Sequence, residues 1–264
     1  MERQKTAVIT GGSRGIGAAA AKLFREKGYR VFELSRSGQS RDGITHIDVD
    51  ITNDGRVKEA FDGIIKQCQA IDVLVNNAGY GISGAVETTD IDAAKRQLDV
   101  NYFGMLRCIK QAVPNMRENG GGHIVNVSSV AGVLPVPYQS LYSASKSAVN
   151  ALTLTLANEV KRFNIKVCAV MPGDTATGFT DNRLKNESGD DTYNGSISHA
   201  VKAMEKDERA GMRPEKIAGV IFKAACAKNP RPLYTVGGKY RLFTFLNKLL
   251  PAKAVNYIEG KLYG

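Results

Sequence analysis

Five short runs rich in valine and isoleucine recur along this chain, at 6–10, 29–34, 73–76, 123–128 and 165–171. They lack the strict polar alternation of a strand with one wet face. Near-continuous apolar runs of this length are what strands covered on both faces of a parallel sheet require. Parallel neighbours cannot be joined by a tight hairpin and need a crossover of a dozen or more residues. The intervals supply it, with helix-like stretches over about 15–27, 54–68, 90–117 and 141–162, the first followed by Gly28 as a C-cap. This alternation predicts an α/β fold, a doubly wound parallel sheet with helices on both faces. A length of 264 residues suits one domain over 1–264.

Composition narrows the function classes. With 43% hydrophobic and 23% charged residues, the chain can bury a large core without staples. Cys68, Cys108, Cys168 and Cys226 stand singly, with no C-x-x-C pair. That argues against a disulfide framework or a zinc site and fits buried cysteines in a reducing compartment. His46, His123 and His199 are equally isolated, so no metal site is expected. The N-terminus shows no secretory signal, and no apolar stretch reaches the roughly 20 residues of a membrane span; a cytoplasmic protein is expected. The net charge of +10 is not gathered into a Lys/Arg block, and no basic motif interleaved with aromatics appears. No nucleic-acid partner is expected.

Two regions break the rhythm. Residues 174–212 are polar, with "KNESGDDTYNGS" at their centre, and read as a substrate lid or mobile insertion. In the tail, 239–264, Leu242, Phe245, Leu246 and Leu249 form an apolar stripe at helical spacing. Lys239, Arg241, Lys248, Lys253 and Lys261 against Glu259 give this segment +4 of the +10. The stripe either covers the pocket or a subunit interface, or it makes a peripheral membrane contact.

Three motifs carry chemistry. "TGGSRGIG" (10–17) falls where the first strand meets the first helix. Gly11, Gly15 and Gly17 permit a tight turn and close approach to a phosphate at a helix N-terminus. A nucleotide ribose is usually read near the end of the second strand. There Ser35 stands in place of the carboxylate that favours NAD, and Arg36 follows. With Arg14 in the turn, two guanidiniums suit a 2′-phosphate, so NADP(H) is preferred and NAD(H) is the alternative. Glu33 points the same way as Ser35, deeper in. Finally, "YSASK" places Tyr142 and Lys146 one helical turn apart. A phenol needs a neighbouring cation to lower its pKa enough for proton transfer near neutrality.

Together with "NNAG" (76–79), the asparagine of "VNYFG", "SS" at 128–129 and "PGDTAT" (172–177), these motifs resemble, in order and spacing, the short-chain dehydrogenase/reductase family. The likeness covers about 5–180, and the tail resembles the branch similar to 17β-hydroxysteroid and retinol dehydrogenases. The resemblance implies a Rossmann-like fold and an NAD(P)-dependent interconversion of alcohol and carbonyl. It implies Tyr142 as general acid/base, Lys146 tuning it and holding the ribose, Ser129 on the substrate oxygen, and Asn101 on a proton-relay water. Ser128 is read as structural. For the cofactor it adds Ser13 and Ile16 in the turn, Asp50 (or Asp48) with Ile51 at the adenine, and Asn76 or Asn77 with Ala78 and Gly79 beside the adenosine. Pro172, Gly173, Thr175 and Thr177 are placed at the nicotinamide. It implies a dimer or tetramer through the helices at 90–117 and 141–162.

The substrate expected is a small-molecule carbonyl or alcohol, lipophilic by preference. Phe179, Leu184, Tyr193 and Met204 of the lid, with Val133, Leu134, Val136 and Tyr138, are candidate pocket residues. The alternatives are reduction of a 3-oxoacyl thioester, or a non-catalytic NADP(H)-binding protein.

Overall fold

A computed structural model describes residues 3–263; Met1, Glu2 and Gly264 of the expected 1–264 domain lie outside the described residues. The five apolar runs become strands β1 (Thr6–Thr10), β2 (Arg30–Ser35), β4 (Val73–Asn76), β6 (Gly122–Val127) and β7 (Ile165–Pro172). Two further strands, β3 (Ile44–Asp48) and β9 (Leu233–Val236), extend the sheet at its edges. All seven run parallel in the order β3-β2-β1-β4-β6-β7-β9. The edge strands escape the sequence reading because they are short and only partly buried. β3 reads "ITHID" and is mostly half-buried.

Alternation along β1 divides the core. Val8 turns to one face, where Phe61 and Ile64 of α2 (Asp54–Cys68) and Ile109 and Met116 of α4 (Met105–Glu118) meet it. Ala7 and Ile9 turn to the other, against Phe24 of α1 (Gly15–Glu26) and Ile217 and Ile221 of α7 (Pro214–Ala225). Burying each of these large side chains stabilises the fold by about 2–3 kcal/mol.

The helix expected over 90–117 is not continuous. α3 (Ile91–Leu98) runs into a π-helical turn over 99–104 before α4 begins. The turn buries Asn101, whose amide takes up non-helical partners, as such bulges often allow. α5 (Ser140–Glu159) carries Tyr142 and Lys146 in its first two turns.

The 174–212 segment is built rather than loose. β8 (Leu184–Lys185) pairs in parallel with β5 (Ile82–Ser83), and α6 (Ser196–Arg209) follows. Thr175 bridges to Met212, so the excursion closes on itself. Tyr193 stacks edge-on against Tyr138 and donates to Glu87 at 2.9 Å. The tail forms α8 (Gly238–Leu246) and α9 (Ala252–Tyr263), separated at Pro251.

Candidate active site

Because every strand of the sheet is parallel, their C-terminal ends share one edge, where ligands bind in open α/β sheets. A cavity of about 720 Å³ opens there. Its wall takes Gly11, Ser13, Arg14, Gly15 and Ile16 from the β1–α1 turn and Ser35 and Arg36 from the end of β2. Asp50 and Ile51 follow β3, and Asn77, Ala78 and Gly79 follow β4. Pro172 ends β7 and Gly173, Thr175 and Thr177 follow it, and Ser129, Tyr142 and Lys146 join them on the wall.

The glycine turn has the bare shape that a phosphate needs. Gly11 and Gly15 sit at φ +65° and +56°, where a side chain is strained. A Cβ on Gly17 would overlap the Gly11 carbonyl and come within 2.5 Å of Asn77 Nδ2. Gly17 itself lies behind the wall, closing the packing of turn on strand. Asn77 braces the turn by donating to the Thr10 and Gly11 carbonyls at 3.0 and 3.1 Å. Asn76 turns away from the cavity and donates to Asn126 at 2.9 Å, deep in the sheet. It steadies the sheet, and only Asn77 of the pair faces the nucleotide edge.

Glu33 does not reach the main cavity. It is buried beneath Gly12 and paired with His46 on β3, and Ser35 Oγ approaches its carboxylate at 3.4 Å. Arg14 and Arg36 line the main cavity, joined by Arg96 from α3, which the sequence did not single out. Asp50 Oδ1 accepts from the Thr52 N–H and hydroxyl at 2.9 and 2.8 Å, while Asp48 is exposed and off the wall. Arg14 also donates to Asn182 of the lid at 3.1 Å, and Thr177 lies over Gly15. The lid thus closes directly on the phosphate turn.

The proton-handling groups sit where β6 ends against α5. Lys146 is 5% exposed; burial pushes its ammonium down to about 8, and its Nζ donates to the Val127 carbonyl at 2.8 Å. Burial pushes the Tyr142 phenol up to about 12; a hydrogen bond with Ser129 opposes this, the Glu208 charge adds to it, and Arg183 lowers it. Tyr142 keeps a face on the cavity and is half-buried, so water there offsets part of the push. The expectation that Lys146 lowers this phenol is therefore not met. The ammonium is 5.7 Å from the ring centroid and committed to a carbonyl. Desolvation, Ser129 and the Arg183–Glu208 pair set the phenol instead.

Asn101 is buried off the cavity wall. Its Nδ2 donates to the Tyr80 carbonyl at 2.9 Å and to Ser145 at 3.0 Å, and its Oδ1 accepts from Tyr80 N–H at 3.0 Å. Ser128 donates to the Lys146 carbonyl at 3.1 Å, the structural role expected of it.

At the substrate end Phe179, Leu184, Met204, Leu134 and Val136 line the cavity, whereas Tyr193, Val133 and Tyr138 do not. Phe179 lies 5.5 Å from the Tyr142 ring, centroid to centroid. Behind it Arg183, its side chain wholly enclosed, pairs with Glu208 of α6. No spacing in the sequence announces this pair, because its members meet only when the lid folds. Nor does the stripe of Leu242, Phe245, Leu246 and Leu249 cover the pocket; all four are exposed. Instead Tyr240 lies on Gly173, too close for any Cβ there, with Phe243 beside it on the wall. Asn247 ties α8 to the Val133 carbonyl at 3.1 Å. Among the described residues no group of His, Cys, Asp and Glu could hold a metal ion, and no helix is long and apolar enough to cross a membrane.

The chain is similar in sequence and fold to known oxidoreductases. A 3-ketodihydrosphingosine reductase of Bacteroides thetaiotaomicron is 40% identical over 254 residues, covering 95% of this chain and 94% of the relative. A mouse dehydrogenase/reductase, SDR family member 7B, is 32% identical over 88% of this chain and 74% of its own. A short-chain dehydrogenase of Streptomyces avermitilis superposes with a TM-score of 0.84 at 29% identity, covering 94% of each chain. ElxO, solved with NADP bound, gives 0.75 at 28% identity over 90% of this chain and 99% of its own. The family model described as short chain dehydrogenase matches residues 5–188, and the chain belongs to that family of oxidoreductases acting on alcohol and carbonyl groups.

Proposed function

We propose that this chain is an NADP(H)-dependent reductase of a lipophilic ketone, with a long-chain ketone of the 3-ketodihydrosphingosine kind as its substrate. The observation that carries the reading is one continuous cavity with Arg14 and Arg36 at one end, Ser129, Tyr142 and Lys146 on its wall, and an apolar pocket of Phe179, Leu134, Val136 and Met204 beyond. The identity to the Bacteroides reductase along almost the whole of both chains supports the substrate.

The turn fits a dinucleotide, since its glycines leave no Cβ between the backbone N–H groups and a phosphate. Gly11 to Gly17 hold the pyrophosphate, Arg14 and Arg36 the 2′-phosphate, and Asp50 and Ile51 the adenine, with Asn77, Ala78 and Gly79 alongside. Pro172, Gly173, Thr175 and Thr177 orient the nicotinamide. When bound, the reduced cofactor supplies a hydride to the carbonyl carbon. Ser129 donates a hydrogen bond to the carbonyl oxygen, and Tyr142 passes its proton to that oxygen as negative charge develops. The phenol carries its proton at neutral pH, as the donor role in reduction requires. Lys146, its ammonium steadied by the Val127 carbonyl, holds the ribose. Asn101 fixes the Tyr80 backbone and α5 around them.

Exposed Ile91, Leu98, Phe103 and Leu154 on α3, the π-turn and α5 support a dimer or tetramer through those helices. The exposed tail stripe, set among five Lys/Arg residues, supports peripheral contact with an anionic membrane, from which such a substrate is drawn. Reduction of a carrier-bound thioester calls for a basic entrance. The substrate end here carries Asp174, Glu208 and Glu259 beside Lys239, which speaks against it.

The test is NADPH oxidation with 3-ketodihydrosphingosine, retinal, a steroid ketone and a 3-oxoacyl thioester, NADH in parallel, for wild type and Tyr142→Phe. Turnover of the long-chain ketone with NADPH is expected. Tyr142→Phe lowers kcat by about 10²–10⁴-fold while NADPH binding persists. Equal use of NADH defeats the Arg14/Arg36 assignment, and unchanged turnover in Tyr142→Phe removes the phenol from the reaction.

A further inference from the structure

The cavity wall carries charges of both signs. Among its acidic residues, Asp174, Glu208 and Glu259 come from the segments that follow β7. Two of these carboxylates are engaged within the fold. Asp174 accepts from the Tyr240 hydroxyl and has Lys239 at 3.5 Å. Glu208 holds Arg183 and accepts from the Thr180 hydroxyl at 2.7 Å. Glu259 is different. It is half-buried on α9, which packs on α6 of the lid, and no hydrogen bond or ion pair reaches it among the described residues. Burial alone pushes its carboxyl up, with no charged neighbour contributing. Met204 and Phe243 line the same cavity. A carboxylate held in a partly apolar wall is costly without a partner. Lys239, which lines the same cavity, pairs with Asp174, and no ion pair joins a Lys or Arg to Glu259 among the described residues.

We infer that Glu259 is a specificity-determining residue that binds the protonated amine of an amino-ketone substrate. The inference rests on the ketone-reductase reading and adds to it the group that selects among lipophilic ketones. An ammonium on the substrate makes a charge-assisted hydrogen bond to the carboxylate while the chain fills the apolar wall. An uncharged lipid of equal length leaves the carboxylate unpaired and binds more weakly.

Binding and turnover separate the inference from the reading beneath it. Calorimetry with the NADPH-loaded full chain compares dodecylamine with 1-dodecanol. Wild type is expected to favour the amine at least tenfold, and Glu259→Gln to lose that preference with an unchanged melting temperature. Glu259→Asp retains part of it. With an active ketone, Glu259→Gln raises KM for the amine-bearing substrate at least tenfold and leaves KM for an amine-free ketone within twofold, kcat being little changed. Equal binding of amine and alcohol by wild type, or an intact preference in Glu259→Gln, overturns the inference whatever the turnover. A Glu259-dependent preference with no ketone reduced leaves the inference standing and defeats the reductase reading.

Discussion

The two ends of the cavity are made of different material. One end is a set of strand termini and one glycine turn, where backbone shape leaves almost no room for side chains. Gly17 cannot carry a methyl group, and Asn77 fixes the turn with two backbone acceptors. The substrate end comes from the lid and tail, elements far apart in sequence that meet through side chains: Phe179 on Tyr142, Arg183 on Glu208, Tyr240 on Gly173. A region specified by backbone shape tolerates no variation, whereas one specified by side-chain contacts can be rebuilt in compensating pairs. That difference explains how one fold keeps its cofactor while its substrates diverge.

The backbone-built end is most sensitive at Gly17. Gly17→Ala is expected to cost at least about 3 kcal/mol, since the new Cβ meets a backbone carbonyl that cannot rotate away. Loss of NADPH binding together with a large fall in melting temperature checks it; a stable variant that binds NADPH normally refutes the backbone argument. Next in size is Glu208→Ala. It strands an enclosed guanidinium and is expected to destabilise by about 3–5 kcal/mol, read by urea unfolding. The double change Arg183→Met with Glu208→Met is expected to recover most of that loss. Recovery marks the lid as rebuildable; a double variant no better than the single one erases the contrast with Gly17.

The same contrast governs what the sequence makes legible. Gly11, Gly15, Gly17, Tyr142 and Lys146 can be read in one dimension because the constraints on them are local: a φ angle, a turn, one helical repeat. Strands β1, β2, β4, β6 and β7 are equally legible, being buried on both faces. The edge strands β3 and β9 are not, because they are short and only partly buried. Asn101 is legible as a residue but not as a geometry. The π-helical turn that points its amide at Tyr80 interrupts a pattern that otherwise reads as one helix. Arg183, Glu208, Tyr240 and Glu259 carry no local signature, and their neighbours are set only by tertiary packing.

Lys146 sharpens the comparison from the side of function. Its ammonium titrates near 8 in the fold and near 10.5 when unfolded. Below about pH 8 both states are charged, and the full penalty of burying the charge is present. As pH rises from about 8 to 10.5 the unfolded state holds more protons, so stability increases over that window. Lys146→Met removes the penalty but leaves the Val127 carbonyl without its donor. A net gain of roughly 1–3 kcal/mol at pH 7 is expected, together with loss of turnover. Thermal melts at pH 7 and pH 10 check it: the gain should shrink at the higher pH, and a destabilised variant at pH 7 refutes the account.

The smallest effect expected is at the tail. Leu249 is 66% exposed and Leu242 55% exposed, so replacing both by Ser removes little buried area. Stability should change by less than about 0.5 kcal/mol per site, and turnover of a ketone delivered in detergent micelles should be unaltered. The proposed membrane contact predicts that sedimentation with vesicles of anionic phospholipid nevertheless falls, since an interfacial helix needs its apolar face as well as its lysines. Unchanged sedimentation with unchanged stability would mean that the stripe meets neither the fold nor the bilayer and would return it to a subunit interface, which the sedimentation coefficient of the same variant then decides. Either way the stripe belongs to the side-chain end of the molecule, where a change alters what the protein meets and leaves the glycine turn and its cofactor untouched.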